Sequence, residues 1–151
     1  MHDKSTPRKV LLIEDSDDDA YFFTRAAKEK PTVKVLRVEN GEEAKRYLLG
    51  EGRFADRAEH PLPDVIVSDL KMPHCSGTEF VKWLRTRPEF AKLSVTIVSS
   101  SNVQQDMRAS LDAGADAYLV KPSSLPGYKH FWESLEKFWS HKKSTVAAAL
   151  P

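Results

Sequence analysis

Asp64-Val65-Ile66-Val67-Ser68-Asp69-Leu70-Lys71-Met72-Pro73 is the stretch from which the fold is read. Val65-Ile66-Val67 is a continuous β-branched run rather than an alternating one, as expected of a strand buried on both faces of a parallel sheet. It runs into a carboxylate, Asp69, and then a proline. Moving outward, four further short apolar runs follow, Val10-Leu11-Leu12-Ile13, Val33-Lys34-Val35-Leu36-Arg37-Val38, Val95-Thr96-Ile97-Val98 and Ala117-Tyr118-Leu119-Val120, and three of the five runs are continuous rather than alternating.

Segments with helical spacing separate these runs. Asp17 to Lys30 carries Ala20, Phe23, Ala26 and Ala27 three or four apart, with acidic residues suited to a first turn. Gly41 to Leu49 carries Ala44, Leu48 and Leu49. Ser76 to Arg87 carries Phe80, Val81 and Leu84 and stops before Pro88. Asn102 to Ala113 carries Val103, Met107 and Leu111 and stops at Gly114. Tyr128 to His141 carries Phe131, Leu135, Phe138 and Trp139. Alternating strands and helices, five of each, predict βα units and a parallel α/β sheet covered on both faces. Gly50 to Pro63 breaks the rhythm and reads as an elongated loop or an extra helical turn. Residues 8–141 form the expected domain, with 1–7 and 142–151 as flexible ends.

Composition narrows the function classes. The 151 residues are 40% hydrophobic and 30% charged, the profile of one globular domain. No apolar stretch approaches the roughly 20 residues of a membrane span, and the polar start lacks a signal-peptide run, so a cytoplasmic location is the default. Cys75 is the only cysteine, which excludes an internal disulfide. A net charge of +1, with both signs dispersed, supplies no drive toward nucleic acid or an anionic membrane.

In open parallel α/β sheets, sites gather beyond the carboxyl ends of the strands. The first run ends in Glu14-Asp15, the third in Asp69, the fourth in Ser99-Ser100-Ser101 and the fifth in Lys121-Pro122. The second ends in Glu39-Asn40-Gly41, a turn signal. Two unit charges about 5 Å apart repel by roughly 3 kcal/mol at an effective dielectric near 20. Three carboxylates on one edge therefore need counter-charge. Lys121 is one source, and a hard divalent cation such as Mg²⁺ is the natural second. Such a site suits a phosphoryl group, with Asp69 as carboxylate nucleophile and Lys121 and the metal neutralising developing charge.

Simpler readings apply around it. Asp17, Asp18 and Asp19 are assigned to capping and solvation. Ser100 is a loop hydroxyl, and His74 and Cys75 are inert neighbours. The aromatics of the last helix are either core or interface.

With these residues in hand, the chain resembles the receiver (response regulator) family over roughly residues 8 to 141. The matching stretches are Val10-Leu11-Leu12-Ile13-Glu14-Asp15, Pro63 to Pro73 followed by Gly77, and Gly114-Ala115-Asp116-Ala117-Tyr118-Leu119-Val120-Lys121-Pro122. Thirty positions separate Asp69 from Ser99 and fifty-two separate it from Lys121, spacings similar to the family's. The resemblance implies a three-layer, doubly wound (βα)5 flavodoxin-like fold with strand order 2-1-3-4-5.

It also implies roles. Asp69 would accept a phosphoryl group from a phosphohistidine of a sensor histidine kinase or histidine phosphotransfer protein. Glu14, Asp15, Asp69 and the backbone carbonyl of Lys71 would hold Mg²⁺. Lys121 would pair with Asp69 and then with the phosphoryl oxygens. The Ser99 hydroxyl would bond the phosphoryl group, and Tyr118 would be the switch aromatic that moves inward with it. Lys71 and Ser101 would tune a slow autodephosphorylation. The Lys121-Pro122 bond would be cis. Such a protein is a phosphoacceptor rather than a turnover enzyme. The Gly50–Pro63 insertion and the Phe131-Trp132 and Phe138-Trp139 pairs look like single-domain regulators that partner phytochrome-type kinases. Trp132, Phe138 and Trp139 are candidate anchors of a homodimer through the last helix. Nothing after His141 reads as a helix-turn-helix.

The main rival is a phosphorylation-independent adaptor of receiver shape, against which the intact acidic pair, Asp69, Ser99 and Lys121 argue. An aspartyl phosphatase usually wants an acid two residues after its nucleophile, where this chain has Lys71. A nucleotide binder would want a glycine-rich loop after the first strand, which is absent.

Overall fold

The apolar runs lie side by side in a parallel sheet. A computed structural model of the chain describes residues 6–140 and the backbone of 148–150. β1 (Arg8–Ile13), β2 (Val33–Val38), β3 (Val65–Asp69), β4 (Ser94–Ser99) and β5 (Ala117–Val120) take the order β2-β1-β3-β4-β5. Ile13 aligns with Ser68, Asp69 with Val98 and Ser99 with Val120, so the strands finish together at one edge. The expected doubly wound order is observed.

Side-chain alternation divides the core in two. Leu11, Ile13, Ile66, Val95, Ile97 and Tyr118 face α2 (Gly41–Leu49), α3 (Gly77–Arg85) and α4 (Gln104–Ala113). Val10, Leu12, Val65, Val67, Val98 and Leu119 face α1 (Asp17–Ala27) and α5 (Leu125–Ser140). The central strands β3 and β4 are buried on both sides along their whole length, whereas β2, at the edge, alternates and leaves Lys34 and Arg37 exposed.

Helix limits follow local chemistry. Ser16, Asn40 and Ser76 accept the N–H groups of Asp19, Glu43 and Glu79 and so start α1, α2 and α3. Gly50 and Gly114, with φ of 68° and 117°, close α2 and α4 in the left-handed region. α5 begins at Leu125, earlier than the expected Tyr128. Pro126 is tolerated there because first-turn residues lack an intrahelical N–H partner anyway. Ser124 caps this end, accepting the Gly127 N–H on its hydroxyl at 3.2 Å and the Tyr128 N–H on its carbonyl at 3.0 Å.

The Gly50–Pro63 segment contains one 3-10 turn, Gly52–Phe54, within a long loop. Phe54 is buried against Tyr47, ring centres 5.1 Å apart. Arg57 donates to the Tyr47 and Leu48 carbonyls at 2.8 and 2.7 Å, tying the loop to the last turn of α2.

Two expectations are corrected. The Lys121–Pro122 bond was expected to be cis, yet no cis peptide occurs among the described residues; the trans form is the intrinsically favoured isomer by about 0.5–1 kcal/mol. Within the tail expected to fray, Ala148–Leu150 forms a strand, β6, parallel to β5, with Ala117 opposite Ala148. Pairing there satisfies the backbone groups that an edge strand would leave open. The remaining terminal positions, 1–5, 141–147 and 151, lie outside the described residues.

Candidate functional site

The strand ends build the site. Glu14 and Asp15 follow β1, Asp69 closes β3, Ser99 closes β4 and Lys121 follows β5. Carboxylate oxygens of Glu14, Asp15 and Asp69 lie within 4.8 Å of one another, a spacing that suits a metal ion. Glu14 and Asp69 are buried, whereas Asp15 is exposed and open to solvent. Three hard oxygen donors with one accessible edge fit Mg²⁺, which keeps several waters when bound.

Lys121 supplies the counter-charge. Its Nζ lies 2.8 Å from Asp19 Oδ2, 3.0 Å from Glu14 Oε1 and 3.3 Å from Asp69 Oδ1. Burial pulls the ammonium's pKa down, but the hydrogen bond to Asp19 and the charges of Asp69 and Glu14 outweigh it and hold the group above its ordinary value. Asp69 is pushed up to about 7, first by burial and then by the Glu14 charge, with Lys121 opposing. One ammonium does not balance three carboxylates, so Asp69 retains a proton near neutrality. A divalent cation would remove that deficit.

Asp19 corrects the assignment of the acidic triplet. Ser16, not an aspartate, caps α1, and Asp19 turns into the pocket to meet Lys121. Arg37 was also missed as a site residue. It reaches from β2 to the Glu14 carbonyl and to Asp17.

Ser99 is buried, and its Oγ accepts the Ser101 N–H at 3.1 Å. Tyr118, in β5, is also buried, and its hydroxyl donates to the Ser101 carbonyl at 2.8 Å. Ser101 in turn donates to Asp106 at 2.7 Å and accepts the Val103 N–H at 3.1 Å. Ser101 thereby links Ser99 and Tyr118 to the start of α4, whose N-cap position, Val103, has no side chain that can cap. Lys71 is exposed in the loop after β3. In the same loop His74 is exposed with φ of 69°, and Cys75 is buried with its thiol raised by burial, an unreactive setting. Gly77 is required by contact: a Cβ there would collide with the Asp69 carbonyl oxygen.

The aromatic pairs of α5 are core. Trp132 is fully buried, donates its indole N–H to the Phe23 carbonyl at 2.9 Å and packs on Phe23 at 4.5 Å. Trp139 is buried under Arg8, and Phe138 is partly buried against the same cluster. The tryptophans offered as dimer anchors are occupied by α1, because α5 lies along it.

Residues 10–128 match the response regulator receiver domain family. The chain is 27% identical to response regulator Rcp1 of Synechocystis, over 98% of this chain and 100% of that protein. It is 30% identical to the polar-differentiation response regulator DivK of Brucella anthropi, over 81% of this chain and 90% of DivK. Among solved structures, response regulator RPA3017 in red light signaling of R. palustris superposes with a TM-score of 0.81 at 32% identity, covering 91% of this chain and 96% of that one. The phosphorylated cyanobacterial phytochrome response regulator RcpA gives 0.80 at 27%, covering 91% and 97%. Strand order, strand-end chemistry and these likenesses converge: the chain belongs to the response regulator receiver domain family, the phosphorelay switches of two-component signalling.

Proposed function

We propose that Asp69 is the phosphoacceptor and that the donor is a phosphohistidine of a sensor histidine kinase or histidine phosphotransfer protein. The observation that carries this reading is the Lys121 ammonium bridging Asp69, Glu14 and Asp19 at the sheet's carboxyl edge. An Asp69 oxygen attacks phosphorus, the N–P bond breaks, and the departing imidazole takes up a proton. Lys121 follows the charge from the carboxylate to the phosphoryl oxygens. Ser99 donates its hydroxyl to one of them. Glu14, Asp15, Asp69 and the Lys71 carbonyl would hold Mg²⁺, which supplies neutralising charge for both the acids and the phosphoryl group.

Switching follows from the Ser101 link. Phosphorylation replaces the single charge of the carboxylate by about two on the phosphoryl group and adds three strong acceptors. Drawing Ser99 toward them releases its bond to the Ser101 N–H, and Ser101 also holds Tyr118 and the start of α4. The altered surface is therefore α4 and β5. The adaptor reading is not favoured, since every group that phosphoryl chemistry needs is present.

The likeness to a regulator of red light signalling and to a phytochrome regulator supports a phytochrome-type kinase as donor. Residues 8–141 are the functional unit, acting in the cytoplasm without nucleic acid; no helix among the described residues is long and apolar enough to cross a membrane. Beyond phosphoryl acceptance, its only chemistry is slow autodephosphorylation, tuned by Lys71 and Ser101. A homodimer through α5 would use the exposed Lys129, His130 and Glu133 rather than the tryptophans. Incubation with Mg²⁺ and acetyl phosphate, followed by intact mass, tests the acceptor: one phosphoryl adduct is expected, lost in Asp69→Asn. No adduct under conditions that label other receivers would support the adaptor instead.

A further inference from the structure

Arg37 stands out as a cation placed beside a cation site. It lies in β2 opposite Leu12 of β1, one position before the paired strands end. Its Nε and Nη2 donate to the main-chain carbonyl of Glu14 at 3.1 and 2.9 Å, and Nη1 meets Asp17 Oδ1 at 3.0 Å. The Glu14 N–H is already held by the Val38 carbonyl at 3.0 Å, so both backbone polar groups of Glu14 are fixed from β2. The side chain has no such freedom either: Oε2 accepts the Ser16 N–H at 3.2 Å while Oε1 meets Lys121.

We infer that Arg37 is a positioning residue that sets the Glu14–Asp15 turn for divalent cation binding. The inference rests on the reading that Glu14, Asp15 and Asp69 hold such a cation. Electrostatics alone gives a guanidinium here the wrong sign, because a positive charge near a cation site weakens it. What the guanidinium adds is geometry. Its planar fork takes one carbonyl oxygen with two donors, which a lysine ammonium does not reproduce. Groups that orient metal ligands from behind typically change metal affinity 10- to 100-fold.

The opposing signs make the test decisive. Binding of Mn²⁺ to the full chain, read from loss of the free-ion paramagnetic resonance signal, is compared for wild type, Arg37→Lys, Arg37→Met and Asp17→Asn. Circular dichroism establishes the folded fraction of each, and affinity is expressed per folded molecule. Arg37→Lys, which keeps the charge, is expected to bind about 10-fold more weakly. Arg37→Met, which removes a repelling charge as well as the fork, is also expected to weaken. Asp17→Asn, which leaves the fork in place, should change affinity less than about threefold. If Arg37→Met does not fold, Arg37→Lys and Asp17→Asn still decide. Unchanged affinity in Arg37→Lys, tighter binding in Arg37→Met, or an equal loss in Asp17→Asn overturns the inference. Absence of Mn²⁺ binding to wild type would instead overturn the metal-site reading, and the inference with it.

Discussion

At the scale of single residues, the site is defined by a charge imbalance around Asp69. Its carboxyl titrates near 7 when folded and without metal, well above the ordinary carboxylate range, because it is buried beside Glu14. Between about pH 4 and 7 the folded protein therefore holds a proton that the unfolded chain has lost. Stability falls as pH rises through that window. In chelator-treated protein, thermal unfolding should show this fall for wild type relative to Asp69→Asn, and Mg²⁺ should remove it. Parallel pH profiles for the two proteins would refute the assignment. Lys121→Met removes the ammonium that Glu14, Asp19 and Asp69 share. Denaturant titration near pH 8 without metal should show a loss of about 3 kcal/mol, part of it recovered with Mg²⁺. Three of these four site residues were legible because strand ends expose them in order. Asp19 was not, since an acidic first turn has a sufficient explanation in helix capping and only the fold shows it turning inward.

Among the elements, α5 and α4 differ in how they are held. Trp132 anchors α5 with full burial and a hydrogen bond to Phe23. Trp132→Ala should cost about 3–5 kcal/mol in denaturant unfolding, without changing the sedimentation coefficient of the folded protein. A stable variant with altered association would place Trp132 at an interface after all. α4 buries only Ser110 among its own residues and depends on Ser101 for its start. Ser101→Ala should speed hydrogen exchange at residues 104–107 about fivefold, the effect of losing roughly 1 kcal/mol of hydrogen bonding that steadies the helix start. Helix positions were readable from apolar spacing, but their ends were not always. Leu125-Pro126-Gly127 looks like a turn in sequence and becomes helix because Ser124 caps it. The Gly50–Pro63 loop could not be resolved from sequence, since its order comes from Phe54 and Arg57 reaching back to α2.

For the whole molecule, the parallel order, both apolar layers and the pocket edge were readable from five runs and their last residues. Two features were not. β6 arises from an Ala-Ala-Leu segment with no strand signal of its own, and it forms on the open edge of β5. The fate of the α5 aromatics depends on which helix lies beside them, and α1 takes them into the core. The molecule is thus a two-faced sheet with an acidic pocket at its carboxyl edge, from which Ser99, Ser101 and Tyr118 lead to α4. The pocket, on this account, serves the phosphorylation of Asp69. Borohydride reduction of protein treated with Mg²⁺ and acetyl phosphate converts an aspartyl phosphate to homoserine, and tandem mass spectrometry then locates it. Homoserine at position 69 alone is predicted; homoserine at Asp15 or Glu14's product at position 14, or no reduced residue in a sample that carries the phosphoryl adduct, would contradict it.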